Sequence, residues 1–261
     1  MGFHQTDCNA ELLGHTRLRA DGRSALGGRS QSLKSILILI TLAIALSVPA
    51  FRSEGATQDS IAPPELLLIV QEELKPRSVP RYARLETNIA RECVRLQCPH
   101  PYLALESVTQ PKVVWWLNAF ASLAEKDRVE QAWQRNEAAM QALRTLSQRK
   151  KALTRQPITF LTRYREDLSN PASWKMSGTR FFVVRVTKEK SPSGHSVFEA
   201  PDGRRFVFAP AASRQEANRQ AKLAGPGAQV LAVQPRWSLP AATWIAADPE
   251  FWKSNPMAHG K

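Results

Sequence analysis

Two tryptophans and an asparagine stand close together in the stretch 113–119, and these side chains are suited to holding a small molecule. If the stretch is a strand, alternation puts Trp116 and Asn118 on one face and Trp115 on the other. Aromatic walls with one polar group suit a small apolar or aromatic ligand. Trp115, Trp116, Asn118 and Tyr102 are therefore the candidate pocket residues. One alternative stays open: the tryptophans pack in a core or an interface, and Asn118 caps a turn.

No catalytic motif accompanies these residues. The chain has no G-x-S-x-G, H-E-x-x-H, P-loop or G-x-G-x-x-G pattern, the patterns that place a nucleophile, a zinc ion or a phosphate. The sequence predicts no catalytic residue, no metal site and no cofactor, and it leaves open whether the protein is an enzyme. A pocket on the order of several hundred Å³ reaching Trp116 and Asn118 would favour ligand binding or catalysis, whereas tight packing there would reject both.

An uncharged run covers residues 35–51, between Lys34 and Arg52. A membrane-spanning helix needs about 20 apolar residues, so this run is short for a permanent anchor and long enough for the core of a signal peptide. Val48 and Ala50 offer the small residues of a cleavage site, with Ala50 as the last residue removed. We expect export across the cytoplasmic membrane to the periplasm or cell exterior, with the run either cleaved or kept as an anchor.

The residues around this run have no helical or strand periodicity. Residues 1–34 are rich in Gly, Ser and Arg, and we interpret them as a disordered leader. A signal peptide could begin near Leu33, so our hypothesis is that translation starts there. Residues 52–64 read as a linker that ends on two prolines. Without residues 1–50, the net charge is +11 over 211 residues.

Cys93 and Cys98 are the only cysteine pair in the exported part, because Cys8 lies in the leader. Exported proteins form disulfides, so a bridge between the two is favoured. It requires the helix carrying Cys93 to end before Cys98, so that the Cα atoms approach within about 6 Å. Two buried thiols, or a metal site that includes His100, remain as alternatives, although this spacing matches no familiar zinc pattern.

Residues 65–168 alternate between short apolar runs and amphipathic stretches, which predicts an α+β unit of order βαββαβ. Apolar residues recur every three or four positions from Tyr82 to Leu96, a helical stripe, and Ser122 with Glu125 forms a capping box. The predicted elements are a strand at 66–74, the helix ending before Pro99, strands at 102–109 and 113–119, a long helix after Ser122, and a strand at 158–165.

This order resembles the dimeric α+β barrel superfamily, to which NIPSNAP-like and antibiotic-biosynthesis-monooxygenase-like families belong. The shared features are the strand, the proline-rich turn, the Tyr-x-x-Leu helix and the long helix after an aromatic strand. The resemblance implies a ferredoxin-like sheet with both helices on one face, packed against a second sheet from another chain or an internal repeat. Members that oxidise substrates carry Asn, Trp or His in the cavity, but their residues do not align with this chain, so no catalytic role is transferred.

A second, smaller α+β unit is predicted at residues 179–234. Its order is β-β-β-α-β, with a hairpin turn at Pro201-Asp202-Gly203 and a capping box opened by Ser213. It could be a shortened second ferredoxin-like unit, which would make an internal pseudo-dimer; a homodimer is the alternative. Residues 235–261, rich in Trp and Pro, should form an irregular strap over a sheet.

The chain has 36 Lys and Arg against 23 Asp and Glu, a net charge of +13. The densest basic cluster is Arg149, Lys150, Lys151 and Arg155, at the C-terminal end of the long helix. These cations either complement the helix dipole or contact anionic envelope components. Nucleic acid is disfavoured as a partner, because an exported protein does not meet the genome.

The sequence thus predicts an exported, non-catalytic α+β protein with an aromatic small-ligand pocket or a dimerisation face. One alternative is a cofactor-independent monooxygenase-like enzyme that uses the same pocket. The other is an envelope-associated protein that binds anionic components through its basic cluster, with membrane contact through the N-terminal segment if that segment is retained.

Overall fold

Short runs rich in β-branched and aromatic residues form eight antiparallel strands, which close into one barrel in the computed structural model. The structure describes residues 62–189 and 194–259. The strands are β1 (Leu66–Glu73), β2 (Leu103–Ser107), β3 (Val113–Phe120), β4 (Ile158–Tyr164), β5 (Phe181–Thr187), β6 (Ser196–Glu199), β7 (Arg205–Ala211) and β8 (Gln229–Val233). The α+β class predicted from the sequence is confirmed.

The two halves of the barrel have the same strand order. Around the barrel, the first half runs β4–β1–β3–β2 and the second runs β8–β5–β7–β6, so each half has its fourth, first, third and second strand in that order. The two halves differ in the connection between their first two strands: a helix joins β1 to β2, whereas only eight residues separate β5 from β6. Pairing of β2 with β8 and of β4 with β6 closes the barrel. A second copy of the chain is therefore not needed to complete the barrel, and a homodimer stays a prediction.

Six α-helices accompany the strands in the described ranges. They are α1 (Val79–Arg95), α2 (Leu123–Arg135), α3 (Glu137–Lys151), α4 (Arg214–Ala224), α5 (Ala242–Ala247) and α6 (Pro249–Trp252). Helices α1 to α4 cover the outer face of the barrel, whereas α5 and α6 pack against its aromatic interior. Helices α1 to α3 pack their apolar stripes on the outward side chains of β1 and β3, and α4 packs on β5, β7 and β8. Strand alternation sends the other side chains inward, where the barrel is filled by aromatic rings, among them Trp115, Phe182, Phe198, Phe206 and Phe208.

The predicted long helix is two helices, separated at Asn136. The Asn136 side-chain oxygen accepts from the Ala139 N–H, 3.1 Å away, and so caps the start of α3. The Asn136 backbone N–H donates to the last carbonyls of α2, and its side-chain nitrogen donates to the Leu96 carbonyl at 3.0 Å. Asn136 thus pairs backbone C=O groups at the end of α2 and a backbone N–H group at the start of α3. The chain can therefore break between the two helices without leaving these groups unpaired.

The C-terminal segment contains more regular structure than the predicted irregular strap. Helices α5 and α6 bring Trp252 against the aromatic interior of the barrel, where it is buried. Asn255 is fully buried; its side-chain nitrogen donates to the Ser238 carbonyl at 2.8 Å and also to the Pro235 carbonyl. The segment is therefore tied to the body of the fold by both packing and hydrogen bonds.

The predicted leader, the apolar run 35–51, the cleavage position at Ala50 and nearly all of the linker lie outside the described residues. Within the described ranges, none of the helices is both long enough and apolar enough to span a bilayer.

Candidate functional site

A pocket lies between the outer face of strands β1 and β3 and the covering helices α1 to α3. Its volume is about 100 Å³, smaller than the several hundred Å³ at which we expected ligand binding or catalysis to be favoured, but the site is not tightly filled by side chains. Trp116 and Asn118 reach it from β3 because they share the outward face of that strand. Tyr102 reaches it from the start of β2, where its backbone pairs with Leu239.

The floor of the pocket is an ionic cluster of three residues that are far apart in sequence. Lys150 Nζ, at the end of α3, lies 2.8 Å from Glu72 Oε1 on β1 and 3.1 Å from Glu86 Oε1 on α1. Glu72 Oε2 also accepts from the Tyr82 hydroxyl at 2.5 Å and from Trp116 Nε1 at 3.1 Å. Both carboxylate oxygens of Glu72 therefore have partners. The buried Glu86 Oε1 lies beside Lys150 but accepts no hydrogen bond from the described residues.

Burial and charge together set the protonation of this cluster. Burial raises the pKa of Glu86 to about 7 and Glu72 adds to the rise, while Lys150 opposes it. Burial also acts to lower the pKa of Lys150, but Glu72 and Glu86 outweigh it and hold that pKa above its usual value. Lys150 is therefore a permanent cation, and the charge of the cluster changes with the protonation of Glu86.

Aromatic rings form the walls. The Tyr102 ring meets the Trp116 ring edge to face, with centroids 5.6 Å apart, and Lys150 Nζ lies 4.7 Å from the Trp116 ring centroid. Burial raises the pKa of Tyr102, so its phenol is neutral at physiological pH. The pocket therefore combines apolar walls with an internal cation that is already neutralised, which disfavours an anionic ligand.

The Asn118 side-chain amide and the Tyr102 hydroxyl are among the polar groups of the pocket that have no partner in the described ranges. The structure shows no hydrogen bond to the Asn118 side-chain amide or to the Tyr102 hydroxyl, although both residues line the cavity. Most polar side-chain groups at partly buried positions find a partner in the protein or in water. These two groups can therefore orient a bound molecule that carries its own donor or acceptor.

His100 borders the pocket as a structural residue. Its ring stacks on Phe120, with centroids 4.5 Å apart, and its Nε2 lies 2.9 Å from the Ala119 carbonyl. Burial lowers the pKa of His100, which keeps the ring neutral and lets Nε2–H donate to that carbonyl.

A disulfide joins Cys93 and Cys98 at one side of the pocket, with Cα atoms 4.8 Å apart. Helix α1 ends at Arg95, and Gln97, with a φ of 52°, turns the chain back toward the helix. Because both sulfurs are used in the bridge, the pair cannot serve as thiolate ligands together with His100. No group of three potential metal ligands occurs in the parts of the chain that the structure covers.

The predicted pocket residues do not all meet. Trp116, Asn118 and Tyr102 line one cavity, but Trp115 does not, because alternation points its ring into the barrel against Phe206 and Phe208. The face of β3 that carries Trp116 is covered by helices, and the opposite face packs against the second half of the barrel.

The four residues of the predicted anionic-contact cluster do not form one exposed surface. Lys150 is not a surface cation, because Glu72 and Glu86 hold its side chain, which is only 19% exposed. Arg155 is exposed and pairs with Glu73 at 2.8 Å. Arg149 and Lys151 are exposed, and an anionic contact stays a prediction for those three residues.

Glu72 and Glu86 are not among the residues predicted from the sequence, although a signal for both is present. Glu72 continues the alternating set of outward apolar residues of β1, and Glu86 lies four residues after Tyr82 on the buried stripe of α1. A carboxylate on an otherwise apolar face needs a buried partner, and that requirement points to the ionic cluster.

Comparisons with known proteins support a fold resemblance only. No protein-family profile matches the chain, and no curated protein matches it. Two solved structures resemble it, both carrying the name "putative monooxygenase". The one from Fusobacterium nucleatum has 8% identity and a TM-score of 0.40, covering 69% of this chain and 94% of its own. The one from Lactobacillus acidophilus has 8% identity and a TM-score of 0.37, covering 65% and 94%. Likenesses this weak do not assign a function.

Proposed function

We propose that the protein binds a small neutral molecule, apolar or aromatic and no larger than a single ring, in the pocket lined by Trp116, Asn118 and Tyr102. The observation that supports this most is that the aromatic walls occur together with polar groups that lack a protein partner, among them the Asn118 amide and the Tyr102 hydroxyl. An enclosed cavity of about 150 Å³ holds benzene. This pocket of about 100 Å³ is partly open to solvent, so part of a one-ring ligand can extend out of it.

The test is calorimetric titration with phenol and benzamide, which carry a ring and a hydrogen-bonding group. Asn118→Ala should weaken binding about fivefold to tenfold, since a hydrogen bond contributes about 1–1.5 kcal/mol. Asn88→Ala is the matched control, because Asn88 is exposed on the far side of α1. Equal affinity of both variants, or no binding of either probe to the native chain, would reject the proposal.

We also propose that the protein lies outside the cytoplasm. The uncharged run at 35–51 and the disulfide between Cys93 and Cys98 support this, since structural disulfides belong to oxidising compartments. Cell fractionation of a bacterium expressing the chain should put it in the periplasm or the membrane fraction, with both thiols resistant to alkylation until a reductant is added. A cytosolic chain with two reactive thiols would contradict export.

A second candidate is an enzyme of the cofactor-independent monooxygenase type. The observation that favours it is Glu86, whose pKa of about 7 at the pocket wall suits a general base near neutral pH. An electron-rich phenol would lose its proton to such a base before reacting with O₂. Oxygen-electrode measurements with hydroquinone should then show consumption that Glu86→Gln lowers at least tenfold and Glu92→Gln leaves unchanged. Consumption equal in all three proteins, or none above background, would reject catalysis.

A further inference from the structure

The outward side of α1 carries a row of arginines. Arg81, Arg84, Arg91 and Arg95 are spaced three, seven and four residues apart, which keeps them on one side of a helix with 3.6 residues per turn. All four are exposed. From Arg81 to Arg95 the row extends about 21 Å along the helix axis.

These charges are largely not neutralised by the protein itself. Within the described ranges Arg81, Arg84 and Arg91 form no ion pair, and only Arg95 has a partner, Glu92 on the same helix. The other carboxylate of α1, Glu86, is buried on the opposite side of the helix against Lys150. Three of the four charges of the row are therefore uncompensated, unlike that of Lys150, which is balanced in the interior.

Arg236 extends this surface. It is exposed in the segment after β8 and lines the same surface cleft as Arg91, together with Ser254. We call Arg81, Arg84, Arg91, Arg95 and Arg236 the arginine face. We infer that the arginine face docks on the anionic headgroups of a lipid membrane.

The direction of the chain favours a membrane as the partner. Cys93, near the end of α1, packs with Leu66 and Leu68 at the start of β1, whereas Tyr82 packs with Val70 and Leu74 farther along the strand. The Arg91 and Arg95 end of the row therefore lies at the end of the barrel where the chain enters β1.

The uncharged run at 35–51 lies a short way before that entry point. Residues 52–64 can span at most about 45 Å when fully extended. A bilayer that held the run would therefore lie within reach of the arginine face. Each Lys or Arg close to an anionic membrane contributes about fivefold to the partition coefficient.

The surroundings of the row do not favour nucleic acid. Single-stranded nucleic acid is held by exposed aromatic rings between the cations. The exposed large apolar residues of the described ranges are Leu123, Ile158, Val186 and Leu223, and no aromatic ring is among them. A lipid surface requires only the charges.

The test is flotation of the full chain with vesicles at limiting lipid concentration, using phosphatidylcholine alone or with one quarter phosphatidylglycerol. The quantity to compare is the ratio of the two partition coefficients, because the uncharged run contributes to both equally. Arg81→Gln, Arg84→Gln and Arg91→Gln combined should lower this ratio about 100-fold at 50 mM salt, and raising the salt should lower the ratio for the native chain.

The matched control changes the same amount of charge on the other side of the barrel. Arg214→Gln, Arg219→Gln and Lys222→Gln combined alter the exposed side of α4 and should leave the ratio within about threefold of the native value. Equal losses in both triple variants would show a general effect of net charge and overturn the proposal, as would a native ratio near one. Tight binding of a short DNA duplex that needs the arginine face, without any preference for anionic vesicles, would also overturn it.

Discussion

Replacing Glu86 by glutamine should remove a pH-dependent loss of stability that the buried carboxyl causes. The Glu86 side chain is 1% exposed and its pKa rises from 4.5 to about 7 in the folded protein, chiefly because burial disfavours the charged form. In the unfolded chain the carboxyl ionises near its ordinary value. Glutamine keeps the shape of the protonated form and cannot ionise.

The sign follows from proton binding. Between pH 4.5 and 7 the folded protein holds a proton on Glu86 that the unfolded chain has lost, so rising pH destabilises the fold over that window. A shift of about 2.5 pKa units at 1.36 kcal/mol each amounts to about 3 kcal/mol. Glu86→Gln should therefore match the native protein near pH 4.5 and exceed its free energy of unfolding by about 3 kcal/mol at pH 8.

The assay is urea unfolding followed by tryptophan fluorescence from pH 4.5 to 8.5, taking the difference between the two proteins so that other titrations cancel. Glu92→Gln is the control on the same helix. Because Arg95 lowers the pKa of Glu92 below its usual value, this carboxyl is ionised in the folded and the unfolded chain over most of the window, so its difference should not change between pH 5.5 and 8.5. A difference between native protein and Glu86→Gln that stays constant across this pH range would refute the account of the ionic cluster.

Three further predictions concern the framework around the pocket. Changing Cys93 and Cys98 to serine should lower the free energy of unfolding by about 2 kcal/mol, because the bridge closes a short loop; native protein in reductant should show the same loss. Asn255→Ala should cost about 2–3 kcal/mol in urea unfolding, since two backbone carbonyls lose a buried donor, and a loss under 0.5 kcal/mol would contradict that bonding. Trp252→Ala should cost about 3–5 kcal/mol in thermal unfolding, because its ring packs against the barrel interior, and an unchanged melting temperature would mean that the ring is not packed there.

Local patterning predicted the eight strands and the helices between them, but it did not predict the break at Asn136 or helices α5 and α6. The stripe from Tyr82 to Leu96 corresponds to α1, observed at Val79–Arg95, and the apolar run at 66–74 corresponds to β1, observed at Leu66–Glu73. Closure of the barrel could not be predicted from local sequence patterns. It depends on the pairing of β2 with β8 and of β4 with β6, strands more than thirty residues apart that share only two or three paired positions.

The side of the pocket formed by β3 was predictable from the sequence, but the ionic cluster was not. Alternation along one strand places Trp116 and Asn118 on a common face, and this needs no knowledge of the rest of the fold. The cluster of Glu72, Glu86 and Lys150 joins a strand and two helices. A terminal lysine in a basic run reads as a surface charge until the position of both carboxylates is known.

The most direct test of ligand binding is a titration of the ¹⁵N-labelled protein with benzamide, followed by NMR. The account predicts saturable shifts of the Trp116 indole N–H and the Asn118 side-chain amide, which border the pocket, with no shift of the Trp115 indole inside the barrel. Absence of a saturable shift at Trp116 and Asn118, or equal shifts at Trp115 and Trp116, would contradict a binding site in this pocket.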